Sequence, residues 1–136
     1  MNRPRKLVVA ALVADQEGRI LLTERRLDQP MGGKWELPGG KIEPGEPPEV
    51  ALRREIAEEL GVDCAVERID EVVHFAYPGF DLLMLVYRCR LLGVPEAREV
   101  AALAWLTPAA ALAKDLLPAD RPYLQRLEGA RLAALP

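Results

Sequence analysis

Lys6 to Ala14 is a nearly continuous run of valine, alanine and leucine, which predicts a buried strand. Asp15-Gln16-Glu17-Gly18 breaks that run with turn-forming residues, and Arg19 to Arg25 predicts a second strand. Asp28 to Lys34 holds a proline and paired glycines and reads as a loop. Trp35 to Leu37 is a short extended piece ending at Pro38, and Gly39-Gly40 predicts a sharp turn. The rhythm then changes. Between about Pro47 and Leu60, Leu52, Ile56 and Leu60 recur every fourth residue, the stripe of an amphipathic helix. Proline suits the first turn of such a helix, and Gly61 is a natural C-terminal stop. Cys64 to Tyr77 and Phe80 to Leu92 predict a long antiparallel pair joined by Pro78-Gly79, and Val100 to Leu106 a further strand. Thr107-Pro108 caps a short alanine helix to about Lys114, and a last helix runs from about Ala119 to Leu127 with Pro122 in its first turn. This order predicts an α/β architecture, a mixed sheet between helices.

Composition narrows the picture. A chain of 136 residues is enough for one domain with a single core, so residues 1–136 are expected to form one unit. Its formal net charge of −3 argues against a partner that is a nucleic-acid polymer, which calls for a basic surface. No apolar run has the length of a bilayer span, so no membrane partner is expected. The start of the chain is basic and then apolar, as in a signal peptide, but the apolar part is short and runs into a turn and a second strand. Cys64 and Cys89 have no metal-ligand spacing; they are expected to be buried free thiols, with a disulfide the lesser alternative, and the expected location is cytoplasmic.

The chemistry is concentrated in the run GGKIEPGEPPEVALRREIAEELGV, from Gly39 to Val62. Glu58 and Glu59 lie three and four residues after Glu55 and so share its side of a helix, where like charges repel by roughly a few tenths of a kcal/mol per pair. Carboxylate oxygens crowded beside a glycine-rich loop suit a hard divalent cation, and such a cation suggests phosphate chemistry.

Gly40, Glu46, Arg54, Glu55, Ile56, Glu58, Glu59, Gly61 and Val62 fill every fixed position of the pattern G-x5-E-x7-R-E-U-x-E-E-x-G-U, where U is a bulky aliphatic residue. This is the signature of the Nudix hydrolases, and the flanks WELPGGKIEPGE and LLPADRPYLQRL resemble the MutT-like members. The resemblance implies an α/β/α sandwich around a mixed β-sheet. It also implies an Mg²⁺- or Mn²⁺-dependent enzyme that cuts nucleoside triphosphates, often oxidised ones, to monophosphate and pyrophosphate, and that occurs as a monomer or homodimer. Glu55, Glu58, Glu59 and the carbonyl of Gly39 would ligate the metal, and Arg54 would orient the glutamates. Lys41 and Glu46 would support the loop. Glu99, with Glu96 as the alternative, would add a carboxylate from the loop before the last strand; a solvated loop charge is the competing expectation for both.

Outside the box, Arg25 matches a basic position that contacts substrate phosphate, with Arg26 as its substitute and a solvated arginine as the plain alternative. Leu37 matches a position lining the base pocket, where simple core packing is an equal expectation. Asp120 matches the place where an amide side chain reads the purine in members selective for 8-oxoguanine. As a carboxylate it accepts hydrogen bonds, which suits the exocyclic amine of cytosine or guanine; protonated by burial, it would also donate. Its alternative is the N-cap of the last helix. Trp105 is expected in the core and His74 on a strand surface. The leading expectation is an 8-oxo-dGTP diphosphatase of the nucleotide pool. The alternatives are a CTP- or dCTP-type pyrophosphohydrolase and, from another class, a Nudix-fold module that senses nucleotides without cutting them.

Overall fold

The computed structural model describes residues 3–133. Strand β1 (Arg5–Leu12) leads through the turn at Asp15 to β2 (Ile20–Glu24), and the short strands β3 (Trp35–Glu36) and β4 (Gly39–Lys41) precede helix α1 (Pro48–Leu60). The long hairpin of β5 (Cys64–Tyr77) and β6 (Phe80–Leu91) follows, then β7 (Ala102–Leu106), α2 (Pro108–Leu112) and α3 (Asp120–Ala133). One sheet has the order β4-β1-β6-β5 and is mixed, because β1 and β6 run parallel while the other pairs are antiparallel. The other, β3-β2-β7, is antiparallel throughout.

Side chains alternate across a strand, so a strand that is apolar at every position feeds two cores. In and just after β1, Val9, Ala11 and Val13 enter a cluster closed by Ala51, Leu52, Ile56 and Leu60 of α1. Ala10 and Leu12 point the other way, into a cluster closed by Ala111 of α2 and Tyr123 and Leu124 of α3. In β2, Leu21 joins the first cluster while Ile20 and Leu22 join the second. This double burial is the α/β/α sandwich. Burying each aliphatic side chain of the α1 stripe contributes about 1.5–3 kcal/mol.

Helix α1 starts at Pro48 and ends at Gly61, which adopts φ 67° and returns its N–H to the carbonyl of Ala57. Gly39-Gly40 is not the expected turn: it is the start of β4, paired with Val9 and Ala10 of β1. A Cβ on residue 39 would fall on the carbonyl of Val9, so only glycine lets the two backbones approach this closely. Helix α3 also outruns the expected end near Leu127, with a Glu128–Arg131 ion pair along its last turns. No helix among the described residues is long and apolar enough to cross a membrane. Cys64 and Cys89 are both buried and free.

Candidate active site

A cleft of about 490 Å³ opens where the short strands meet α1 and the start of α3. Along α1, Glu55 and Glu59 are one turn apart and both line it, facing Gly39 and Gly40 of β4. A Cβ on residue 40 would collide with the Glu55 carboxyl, so the glycine pair admits the helix carboxylates to the strand. The Gly39 N–H donates to Glu59 Oε2 over 3.4 Å.

Arg54 organises the flank of this group. Its Nε and Nη2 donate to the two oxygens of Glu46 over 2.8 and 2.9 Å, a paired, charge-assisted contact. Nη1 reaches Glu55 Oε1 at 3.0 Å and Glu58 at 3.4 Å, and Nη2 also donates to the carbonyl of Lys41 at 3.0 Å. Glu58 is exposed on the outside of this network and does not line the cleft. The Arg54 hydrogen bond pulls the Glu46 carboxyl down to about 2.

The carboxyls inside the cleft behave in the opposite way. Burial raises Glu55, against the pull of Arg54. Burial and then repulsion from Glu36 and Glu55 push Glu59 well up. Glu36, on β3, rises to about 7 through burial, opposed by Arg25. Sequence reasoning passed over Glu36, although a lone carboxylate between the apolar Trp35 and Leu37 was a readable signal.

At the far end, Asp120 is 3% exposed, and its Oδ2 accepts the backbone N–H of Leu37 over 2.8 Å. Its side chain therefore ties α3 to the β3–β4 connection. Burial raises it to about 8. Leu37 belongs to the second core cluster and lines the cleft as well, so packing and pocket are one role. Tyr77 and Phe80, stacked with ring centroids 5.0 Å apart, line the same end, and Lys6 sits over the Phe80 ring at 4.1 Å. These two aromatics were also missed; their signal was their place on either side of Pro78-Gly79.

Arg25 lines the cleft, whereas Arg26 turns to Asp28 on the surface. Lys41 lies at the rim. Glu99 and Glu96 sit on the loop beyond the end of α1. Both are exposed, neither lines the cleft, and their backbones cap α1: Glu96 N–H reaches the carbonyl of Leu60, and Arg98 and Glu99 N–H that of Glu59. The last carbonyls of a helix need such donors, and this need places the loop behind the helix end. His74 is exposed on β5, and Trp105 packs against the first cluster.

Among the described residues no three acidic, histidine or cysteine side chains converge on one point, and Glu55 and Glu59 instead meet Arg54 and the Gly39 N–H. The donor chemistry still fits a hard divalent cation. Glu55 and Glu59 share one helix face, and both are pushed toward protonation by burial and by neighbouring carboxylates, Glu58 and Glu43 for Glu55 and Glu36 and Glu55 for Glu59, a repulsion that a bound cation would relieve.

The family described as NUDIX domain matches residues 4–127. The chain therefore belongs to the Nudix hydrolases, in their MutT-like group, and is an enzyme of the nucleotide diphosphatase class. A putative 8-oxo-dGTP diphosphatase 2 of Mycobacterium tuberculosis is 40% identical, with 90% of this chain and 87% of that protein covered. The CTP pyrophosphohydrolase of Escherichia coli is 35% identical, with 93% of each covered. Among solved structures, the E. coli ORF135 protein superposes with a TM-score of 0.84 at 34% identity, over 97% of this chain and 94% of that one. Nudix hydrolases as a family use divalent metal ions.

Proposed function

We propose that this chain is an Mg²⁺-dependent nucleoside triphosphate pyrophosphohydrolase, with Mn²⁺ as a substitute, and that 8-oxo-dGTP is its lead substrate. One observation carries the proposal: a single cleft joins Glu55 and Glu59 at one end to Arg25 in the middle and Asp120 with the Tyr77–Phe80 stack at the other. Its ends match the parts of a nucleoside triphosphate. The reaction is water attack on phosphorus, with cleavage of the anhydride that releases pyrophosphate and leaves the nucleoside monophosphate.

Glu55, Glu58, Glu59 and the Gly39 carbonyl would hold the cation. When bound, it neutralises phosphate charge and lowers the pKa of water in the site. Arg54 keeps Glu55 and Glu58 oriented and, through Glu46 and the Lys41 carbonyl, fixes them to the β4 loop. Arg25 and Lys41 bind the phosphates. Glu55 and Glu59 line the cleft beside the place where the cation would sit, so either carboxylate is placed to accept a proton from the attacking water. Leu37, Tyr77 and Phe80 pack on the base.

Asp120 reads the base edge. With Oδ2 committed to Leu37 and a pKa near 8, its carboxyl is mostly protonated at neutral pH and donates to a purine carbonyl. The ionised form accepts from an exocyclic amine, which is the observation favouring the second reading, a CTP or dCTP pyrophosphohydrolase. Of the relatives named above, one bears the name of a putative 8-oxo-dGTP diphosphatase and another that of a CTP pyrophosphohydrolase, which supports keeping both readings.

The same proposal treats residues 1–136 as one domain, with 1, 2 and 134–136 outside the described residues, acting as a monomer or homodimer. It places the enzyme in the cytoplasm in a nucleotide-pool role, supported by the free thiols Cys64 and Cys89. The test is kcat/KM for pyrophosphate release from 8-oxo-dGTP, dGTP, CTP and dCTP with Mg²⁺. Highest turnover of 8-oxo-dGTP is expected; highest turnover of CTP or dCTP would establish the second reading, and no metal-dependent turnover would defeat both.

A further inference from the structure

Arg25 is held at two points. Its Nε donates to the carbonyl of Pro30 over 3.0 Å, and its Nη1 to Glu36 Oε2 over 3.1 Å. Its Nη2 has no protein partner among the described residues, and the side chain lines the cleft. A guanidinium with two nitrogens anchored and the third uncommitted is an oriented donor, and little side-chain entropy remains to be lost when an anion binds.

Glu36 is an unusual choice for such an anchor. It lies in the same cleft as Glu55, Glu59 and Asp120, and its charge disfavours ionisation of both Glu59 and Asp120. An acidic residue placed among other acids costs stability, and nothing in the core requires it: its side chain keeps 21% exposure. The Arg25 contact is what it provides. The loop from Arg26 to Lys34 adds a second, independent brace. Gly33 N–H returns to the carbonyl of Arg25, and Arg25 N–H reaches that of Lys34. The loop therefore closes on Arg25 and brings the Pro30 carbonyl to its Nε.

We propose that Glu36 is a positioning residue: together with the Pro30 carbonyl it fixes the Arg25 guanidinium so that Nη2 meets the polyphosphate of the substrate. Glu36 acts only through Arg25 and does not itself touch phosphate. The proposal rests on the phosphate-binding role given to Arg25 above.

The test is a double-mutant cycle on the full chain, read by calorimetric binding of inorganic tripolyphosphate with Mg²⁺. This probe carries the phosphate chemistry without a base. Arg25→Leu and Glu36→Leu are each expected to weaken binding about tenfold, the scale of one charge-assisted hydrogen bond. The double variant is expected to bind no more weakly than Arg25→Leu alone, because Glu36 has nothing left to position. Glu36→Gln, which keeps an oxygen for Nη1, is expected to stay within about threefold of the wild type. Should Glu36→Leu fail to fold with Arg25 left unpaired, Glu36→Asp takes its place in the cycle, since its shorter side chain keeps the charge but loses the reach. Multiplicative losses in the double variant, or unchanged binding in the Glu36 variant of the cycle, would overturn the proposal. Failure of the wild type to bind tripolyphosphate would overturn it too, while metal-dependent nucleotide turnover in that same protein would leave the proposed function standing.

Discussion

At the Arg54 flank of the cleft and at its Asp120 end, carboxylates are handled by opposite physics. Glu46 faces a guanidinium through two hydrogen bonds and is held down to about 2, so it is ionised at any working pH. Asp120 is buried deeper, faces only one backbone N–H and feels Glu36 nearby, so it rises to about 8. The flank is a finished structural element. The far end is poised: its protonation, and hence its pattern of donors and acceptors, changes within the physiological range. Glu55 and Glu59 stand between these cases, braced from one side and repelled from the other, and a bound cation would resolve the conflict.

The largest effect is expected where the repulsion is concentrated. Glu59→Gln should lower kcat/KM by roughly a thousandfold in a pyrophosphate-release assay. Its melting temperature without divalent ion should not fall, because the variant removes a charge opposed by burial, Glu36 and Glu55. A melting temperature well below that of the wild type would show the glutamate to be part of the scaffold.

Arg54→Leu comes next, with about a 10- to 100-fold loss of activity, as for other residues that orient metal ligands. Unlike Glu59→Gln it should also lower the melting temperature, since Glu46, Glu55 and the Lys41 carbonyl lose their shared donor. Loss of activity without loss of stability would break the contrast between the two regions.

Asp120→Asn tests the poised end. A carboxyl whose folded pKa lies above its unfolded value gives its full stability below the unfolded value and loses it as pH rises through the folded one. Asp120 therefore makes wild-type stability fall between about pH 4 and pH 8 without divalent ion, and Glu36 adds to the fall up to about pH 7. Urea midpoints at pH 5, 7 and 9 should show that decline, and it should be shallower in Asp120→Asn; equal slopes would place the titration elsewhere. The smallest effect is expected for Glu99→Ala, within about twofold of wild-type kcat/KM, as is usual for an exposed side chain away from the site. A hundredfold loss would instead bring Glu99 into the working cleft.

Much of the fold was legible along the chain. The fourfold spacing of Leu52, Ile56 and Leu60 and the all-apolar β1 describe one amphipathic helix and one doubly buried strand, and both are local patterns. Gly39-Gly40 misled, because a glycine pair signals a turn and a close strand pairing equally well. For a related reason, distance along the chain from Trp105 carries no information about which end of α1 the Glu99 loop caps.

By itself, the order of residues from Gly39 to Val62 determined the bond class and the cluster that Arg54 organises. A helix converts spacing into position, so Arg54, Glu55, Glu58 and Glu59 are neighbours as soon as α1 forms. Only the tertiary structure decided the rest of the cleft. Asp120 reaches Leu37 across 83 residues of sequence, and Glu36 meets Arg25 only because β3 lies beside β2. Burial, which sets the charge of Asp120, is a property of everything packed around it rather than of any neighbour in the chain.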